Sequence, residues 1–372
     1  MATTGLNGGP VAIVGVGLIG GSLGLALMSR DGGTEVRGVD PGDGVLGRAL
    51  DRGVISVACD DLADAVVGAS IVVVCAPIAQ IPAVVRRVLE RADDSAVVTD
   101  VGSAKSEVLA ALTPDERARF CGGHPVAGGE RGGVEHARAD LFDGAMWFLT
   151  PTEETRPDLL TRVHGLVASV GATPVAVDAQ VHDHLMALVS HLPHVIASAL
   201  IRQAADTAPQ GREALRSAGP SFRDLTRVAG ANPALWADIL LANRDAVLAE
   251  TGRHRAELAD VEGALARGDR AWLEAFFEGA AEGRARLMAA HAPGGEGQAT
   301  RIVVEVPNRP GVLSEIATVL GHAHINIEDL DLVPAAQGEP SGSLALLVRG
   351  ADAARQAADL ITHHGYRVIA EP

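Results

Sequence analysis

His124 stands in Gly122-Gly123-His124-Pro125-Val126-Ala127-Gly128-Gly129-Glu130, a glycine-dense turn that presents one imidazole and then one carboxylate. A neutral imidazole, with an ordinary pKa of ~6.5, accepts a proton readily near pH 7. Two other segments hold polar residues that packing alone does not require. Asp100-Val101-Gly102-Ser103-Ala104-Lys105 follows an apolar run ending at Thr99, and Ser190-His191-Leu192-Pro193-His194 lies in a helical stretch. Proline inside a helix removes a hydrogen bond, which predicts a kink there and side chains turned into a cleft. His191-x-x-His194 has a spacing that metals use, yet the sequence indicates no third ligand, so no metal is expected. Lys105 is the only lysine of the chain and reads either as a solvated amine at a helix start or as a member of this polar group.

Gly15-Val16-Gly17-Leu18-Ile19-Gly20 carries a different chemistry. It follows the apolar run 11–14 directly and opens a helix over about 21–29. The three glycines then serve separate ends, namely a tight turn, close approach of backbone to a pyrophosphate, and close helix–strand packing, with the anion on the helix N-terminus. Asp40 ends the next strand, 20 residues past Gly20, where a carboxylate bonds a ribose 2′-hydroxyl. Its charge repels a 2′-phosphate, and Pro41-Gly42-Asp43-Gly44 offers no arginine to offset it; Arg48 is the nearest cation. The expected cofactor is NAD, held by Gly15, Gly17, Leu18, Ile19, Gly20 and Asp40, with Cys75-Ala76-Pro77 and Ser103 lining the crevice further along.

The elements that must position these residues can be read from the hydrophobic pattern. Short β-branched runs at 11–14, 35–39, 71–75, 96–99, 146–150 and 173–177 alternate with helix-length amphipathic segments. That alternation is the signature of an α/β fold, a doubly wound, mostly parallel sheet of Rossmann type with helices on both faces. From 179 to 291 there is no strand candidate, only Ala, Leu and Arg at helical spacing, with Asn232-Pro233 as an N-cap followed by proline at the first helical position. The tract 292–299 reads as a linker. Residues 300–372 then run in the order βαββαβ, a ferredoxin-like module. The expected domains are therefore 1–178, 179–291 and 300–372.

The chain has 372 residues and a net charge of −16, the wrong sign for a surface that neutralises a track of phosphates, so no nucleic-acid partner is expected. Cys59, Cys75 and Cys121 are odd in number and widely spaced, which supports neither a disulfide framework nor a zinc site and fits a reducing cytoplasm. The first ten residues lack a basic n-region and an apolar h-region, so no secretory signal is expected. The uncharged stretch 65–85 is broken by Pro77, Gln80 and Pro82 and reads as strand, turn and helix start; no membrane partner is expected.

Taken together, these residues closely resemble the prephenate and arogenate dehydrogenases of tyrosine biosynthesis. The likeness spans almost the whole chain: VGVGLIGGSLG, DVGSAK, GGHPVAGGERGGVEHA, LFDGAMWFLTP, HDHLMALVSHLPH and FRDLTRVAGANPALW. It implies oxidative decarboxylation, with hydride passing from the ring carbon that bears the 4-hydroxyl to NAD and the ring carboxylate lost as CO2. By the same resemblance His124 accepts the hydroxyl proton, Ser103 orients that imidazole or the hydroxyl, and His194 is a second active-site histidine with Ser190 and His191 within one turn of it. Arg227 grips a substrate carboxylate through its planar fork, steadied by Asp224. Glu130 stands where a carboxylate attracts the ammonium of arogenate or orders a gate. Gly129 and Gly132 replace residues that are often hydroxylic in relatives. The expected activity is that of a prephenate dehydrogenase, with arogenate dehydrogenase as the alternative and a non-catalytic NAD-binding sensor as a remoter one.

The terminal module, with Asn308-Arg309-Pro310-Gly311-Val312-Leu313 and Ile325-Asn326-Ile327, resembles an ACT domain. In such domains Asn308, Gly311, Val312 and Asn326 correspond to an amino acid site, which implies a tyrosine effector, or else a module that only dimerises. The resemblance also makes the helical segment a dimerisation domain, with the apolar face of 232–266 as its twofold contact, and the chain a homodimer.

Overall fold

The computed structural model describes residues 9–30, 34–129, 131–206, 215–290, 299–307, 309, 312–323, 325, 327–333 and 341–370. Glu130, Asn308, Gly311 and Asn326 lie outside the described residues. The chain forms two compact units, 1–259 and 260–372.

In the first unit eight strands make one sheet in the order β3-β2-β1-β4-β5-β6-β7-β8. They are β1 Val11–Val14, β2 Val36–Val39, β3 Val57–Ala58, β4 Ile71–Val74, β5 Val97–Asp100, β6 Phe120–Pro125, β7 Met146–Thr150 and β8 Thr173–Ala176. Every pairing is parallel except β6 with β7, which is antiparallel. The helices between them are α1 Leu18–Arg30, α2 Val45–Asp51, α3 Leu62–Val66, α4 Ile81–Leu89, α5 Ser106–Ala110, α6 Pro114–Ala118 and α7 Pro157–Ser169.

The pleat explains why the central strands are apolar throughout. Val11, Ile13 and Val73 point to one face, into a core with Leu23 and Leu27 of α1 and Val163 and Leu166 of α7. Ala12, Val72, Val74 and Val98 point to the other, into a core with Val85 and Val88 of α4 and Val108 of α5. A sheet covered on both faces has no room for polar alternation. Polar residues are thus pushed to the carboxyl ends of the strands, and the neighbours of β1 are β2 and β4, which makes their ends the point where the order reverses.

Six strands fall within a residue of the expected ends, and two differ. β3 is a two-residue edge strand. β6 is a full strand where the sequence reads as a glycine-dense turn, so His124 sits on a rigid element, in register with Phe148 of β7. The glycines there serve close packing. A Cβ at Gly123 would stand 2.6 Å from the Asp100 carbonyl oxygen and 3.0 Å from Trp147 Nε1.

After β8 the described residues up to 290 contain only helices and turns. Asp178 caps α8 Ala179–Met186, its carboxylate accepting from the N–H groups of Gln180 and Val181 at 2.8 and 3.1 Å. A π turn, Ala187–His191, joins α8 to α9 Leu192–Asp206. The disturbance expected at Pro193 therefore takes the form of a wider turn, in which the Leu192 N–H donates to the Ala187 carbonyl, five residues back. The run Ala179–Asp206 is long and apolar enough to cross a membrane by length and composition, but it buries His182, Asp183 and His191 within the protein. Helices Pro220–Thr226, Pro233–Ala242 and Arg244–Arg267 follow, the second capped by Asn232 as expected.

The second unit holds helix Arg270–Ala290 and a four-stranded antiparallel sheet in the order β10-β11-β9-β12. Its strands are β9 Ala299–Pro307, β10 Ile327–Val333, β11 Ser341–Arg349 and β12 Arg367–Ala370, with helices Val312–His322 and Ala351–His363 packed over Ile302, Val304, Leu344 and Leu346. The order βαββαβ is the one read from the sequence. Both guanidinium Nη atoms of Arg309 reach Glu315 at 2.8 Å, and Tyr366 donates to the same carboxylate. These contacts, Arg309 foremost, push the Glu315 carboxyl down to about 2.

Candidate active site

The three glycines shape the crevice at the ends of β1 and β4. Gly15 has φ +99°, and a Cβ there would stand 2.6 Å from the Cys75 carbonyl oxygen. At Gly17 a Cβ would meet nothing within 4 Å, so that position faces open space beside the first turn of α1, formed by Leu18 and Ile19. Gly20 packs against the Gly15 carbonyl, and a Cβ there would come to 2.9 Å from Ile13 Cγ2. Tight turn, open cradle and close helix–strand contact are therefore divided among them as a pyrophosphate at a helix N-terminus requires.

Asp40 accepts from the N–H of Val16 at 2.7 Å through Oδ2 and from that of Gly42 at 2.8 Å through Oδ1. Each oxygen retains a lone pair for a ribose hydroxyl. Arg48 is engaged by Glu135 at 2.7 Å. Cys75 and Ala76 are half-buried and Pro77 is exposed at the end of β4. Burial pushes the Cys75 thiol up, which removes it as a nucleophile. The residues present fit a dinucleotide.

One strand over, a chain of hydrogen bonds leads to His124. Its Nδ1 lies 2.9 Å from Nε2 of His182, and Nδ1 of His182 lies 2.8 Å from Oδ1 of Asp183. A carboxylate can only accept, so His182 donates through Nδ1. A neutral His182 then accepts at Nε2, His124 donates through Nδ1, and the lone pair of His124 is left on Nε2. Asp183 also accepts from the N–H groups of Lys105, the N-cap of α5, at 2.7 Å, and of Ser106, its first residue, at 2.8 Å. Burial pushes its carboxyl up, but the bonds from His182, Ser106 and Lys105 outweigh this and hold it below the usual range. His124 is also lowered, but toward its neutral form. Burial first, then the neighbouring His182, Lys105 and His191, lower it well below 6.5. The imidazole is neutral at pH 7.

The π turn and α9 supply the next polar groups. Asn243 donates through Nδ2 to the Asp183 carbonyl at 2.7 Å and to Nδ1 of buried His191 at 3.2 Å, which leaves the His191 proton on Nε2. Burial pushes His191 down to about 4. His194 donates from Nδ1 to the Ser190 carbonyl at 3.0 Å, and its ring lies flat on Trp236, centroids 3.5 Å apart. Arg227 opens a short turn, Arg227–Gly230, whose first N–H donates to the Asp224 carbonyl and which packs on α9.

The structure thus brings His124 and His191 together around one relay, and Ser103 lies in the segment between β5 and α5. The partner that orients the His124 ring is His182. The sequence alone assigns His182 and Asp183 no role, although an adjacent His-Asp pair one turn after a capping aspartate is a usable signal. Trp236, part of an apolar face by its spacing, is instead a stacking partner for His194. Of the two readings of Lys105, the structure selects the buried one.

A doubly wound sheet with a dinucleotide cradle, and beside it an imidazole whose lone pair is set by a relay, defines a dehydrogenase that uses a nicotinamide cofactor. Residues 23–176 match the nucleotide-binding domain of prephenate dehydrogenase, 178–279 its dimerization domain and 300–358 the ACT domain. The chain belongs to the prephenate dehydrogenase family, and it is an NAD-dependent dehydrogenase. Prephenate dehydrogenase of Bacillus subtilis (strain 168) is 31% identical over 326 residues, covering 87% of this chain and 88% of the relative. The structure of prephenate dehydrogenase from A. aeolicus, in complex with hydroxyphenyl propionate and NAD+, superposes with a TM-score of 0.72 at 28% identity, covering 76% of this chain and 99% of that one. Arogenate dehydrogenase of Synechocystis superposes with a TM-score of 0.66 at 29% identity, covering 75% and 99%.

Proposed function

We propose that the protein oxidatively decarboxylates prephenate to 4-hydroxyphenylpyruvate with NAD, and that His124 is its base. The observation that carries this reading is the relay Asp183–His182–His124, which leaves Nε2 of His124 free to take the proton of the substrate 4-hydroxyl. NAD, when bound, supplies the hydride acceptor, and loss of the ring carboxylate as CO2 lets the ring aromatise. As Nε2 takes the proton, the positive charge spreads along the relay toward the Asp183 carboxylate, which stabilises the product state of the transfer. Ser103 and His194 complete the catalytic set in this reading. Arg227, Glu130, Ser190 and His191 bind substrate, with Arg227 holding a carboxylate. NAD is preferred to NADP because Asp40 faces the 2′-position and Arg48 is paired with Glu135.

The test is a rate comparison of the purified protein with prephenate and arogenate, each with NAD and NADP. Turnover of prephenate with NAD is the expected outcome; turnover confined to arogenate would establish the alternative substrate, and none with either would remove the reading.

The lowered His124 pKa sets the pH dependence. The active form is unprotonated, so kcat/KM is expected to stay flat from pH 8 down through the ordinary histidine range of about 6.5 and to fall only below it. A limb centred above 6.5 in a pH–rate profile would contradict this. The same sign holds for stability. The unfolded chain takes a proton at His124 that the folded one refuses, so stability falls as pH drops below about 6.5.

We extend the proposal to assembly, place and regulation. The domains are divided as 1–178, 179–291 and 300–372. Leu241, Leu248 and Leu258, exposed on helices Pro233–Ala242 and Arg244–Arg267, supply the contact of a homodimer. The three cysteines are free thiols, which supports a cytoplasmic protein. Tyrosine binds at the start of helix Val312–His322, where Arg309 pairs with Glu315 in the first helical turn. Calorimetric titration with L-tyrosine is expected to show binding and a lower rate. Neither binding nor a rate change would leave the module as a dimerising one.

A further inference from the structure

Lys105 is the only lysine in a chain that otherwise uses arginine, and it has no exposed surface. Its Nζ donates to Oδ2 of Asp100 and, at 2.8 Å, to the carbonyl of Gly123. Asp100 in turn accepts from the Gly123 N–H at 3.0 Å through Oδ1 and from the Gly102 N–H at 2.9 Å through Oδ2.

The backbone around this pair explains what it replaces. β5 and β6 pair only at Val98–Phe120 and Thr99–Cys121. Beyond that the strands part, and both backbone groups of Gly123, the residue before His124, bond to side chains of the β5–α5 segment. The ion pair takes over from the sheet ladder where the ladder stops. A Cβ at Gly122 would collide with Thr150 Oγ1 and stand 3.2 Å from Cδ of Lys105, so the bare glycine backbone leaves room for the lysine stem.

We propose that Lys105 is a positioning residue for the reaction: with Asp100 it fixes Gly123, and so the place and protonation state of the His124 ring. The proposal rests on His124 being the base. Two independent paths lead from Lys105 to that ring. Its side chain reaches it through the Gly123 backbone, and its N–H through Asp183 and His182. The groups facing the imidazole are His182 and Asp183 from α8, His191 from the π turn, and Lys105 with Asp100 from the β5–α5 segment. Among these, the ammonium of Lys105 opposes a proton on His124.

The test is the double variant Asp100→Asn with Lys105→Met, which removes both charges and avoids the unpaired buried carboxylate that Lys105→Met alone would leave. NAD affinity is expected within about threefold of wild type, kcat lower by about tenfold or more, and the acid limb of kcat/KM displaced from its wild-type position, since Gly123 loses both charged partners that fix the place of the His124 ring. A folded, NAD-binding double variant with wild-type kcat and an unmoved limb overturns the proposal. Wild-type turnover in His124→Asn would instead remove the base assignment, so the two failures are distinct.

Should the double variant not fold, the single lysine decides the matter in the unaltered protein. With ¹⁵N-lysine labelling only one side-chain ammonium signal exists, and its shift is expected to follow a titration step that vanishes in His124→Asn. A signal with no such step overturns the proposal.

Discussion

Replacing His124 by asparagine is expected to lower turnover of prephenate with NAD at least ~100-fold, the scale on which a positioned general base acts. Asparagine is chosen because its amide N–H can still donate toward Nε2 of His182, so the relay keeps its end point while the lone pair aimed at the substrate is lost. Steady-state kinetics should show the deficit in kcat. NAD affinity, read by quenching of protein fluorescence, should stay within a few-fold of wild type, because the glycine cradle lies at the β1–α1 turn and Asp40 just after β2, away from β6. Wild-type turnover in the variant would place the base elsewhere.

Asp183→Asn is the second large effect, expected on the order of 10²–10⁴ in kcat, as found when the carboxylate behind a catalytic histidine becomes an amide. The Asp183 carboxylate accepts from three donors, His182 Nδ1, Lys105 N–H and Ser106 N–H. An amide cannot satisfy all three. With its oxygen toward His182 and Lys105, the NH2 opposes the Ser106 N–H; turned over, it opposes Lys105 and forces His182 into the other tautomer. Either way the negative charge that stabilises a proton moving onto the relay is gone. A kcat within about threefold of wild type would show that the relay holds His124 in place without taking part in proton transfer.

Much of this site is legible in the amino-acid sequence, for reasons tied to particular residues. The cofactor end is local: Gly15, Gly17 and Gly20 act within one strand–turn–helix unit, so their spacing carries the geometry. His124 is singled out by its chemistry, but its setting is misread. Gly122 and Gly123 look like a turn because glycine adds nothing to a strand by itself. Only the neighbours that crowd them, Thr150, Asp100 and Lys105, show why a strand needs them there. The relay is harder still, since His182 lies 58 residues from His124 and α8 must dock on α5 before the two rings meet. A pairing of that kind is a tertiary fact, and no periodicity encodes it. Lys105 is a similar case. Its isolation in the composition draws notice, while its burial depends on where β5 and β6 part company.

The most direct measurement is a crystal structure of the ternary complex with NAD and a prephenate analogue that retains the ring hydroxyl. Nε2 of His124 is predicted within hydrogen-bond reach of that hydroxyl, about 2.6–3.2 Å, with Nδ1 still bonded to His182. A ring turned away from the bound acid, with no water joining the two, would contradict the assignment of His124 as the base.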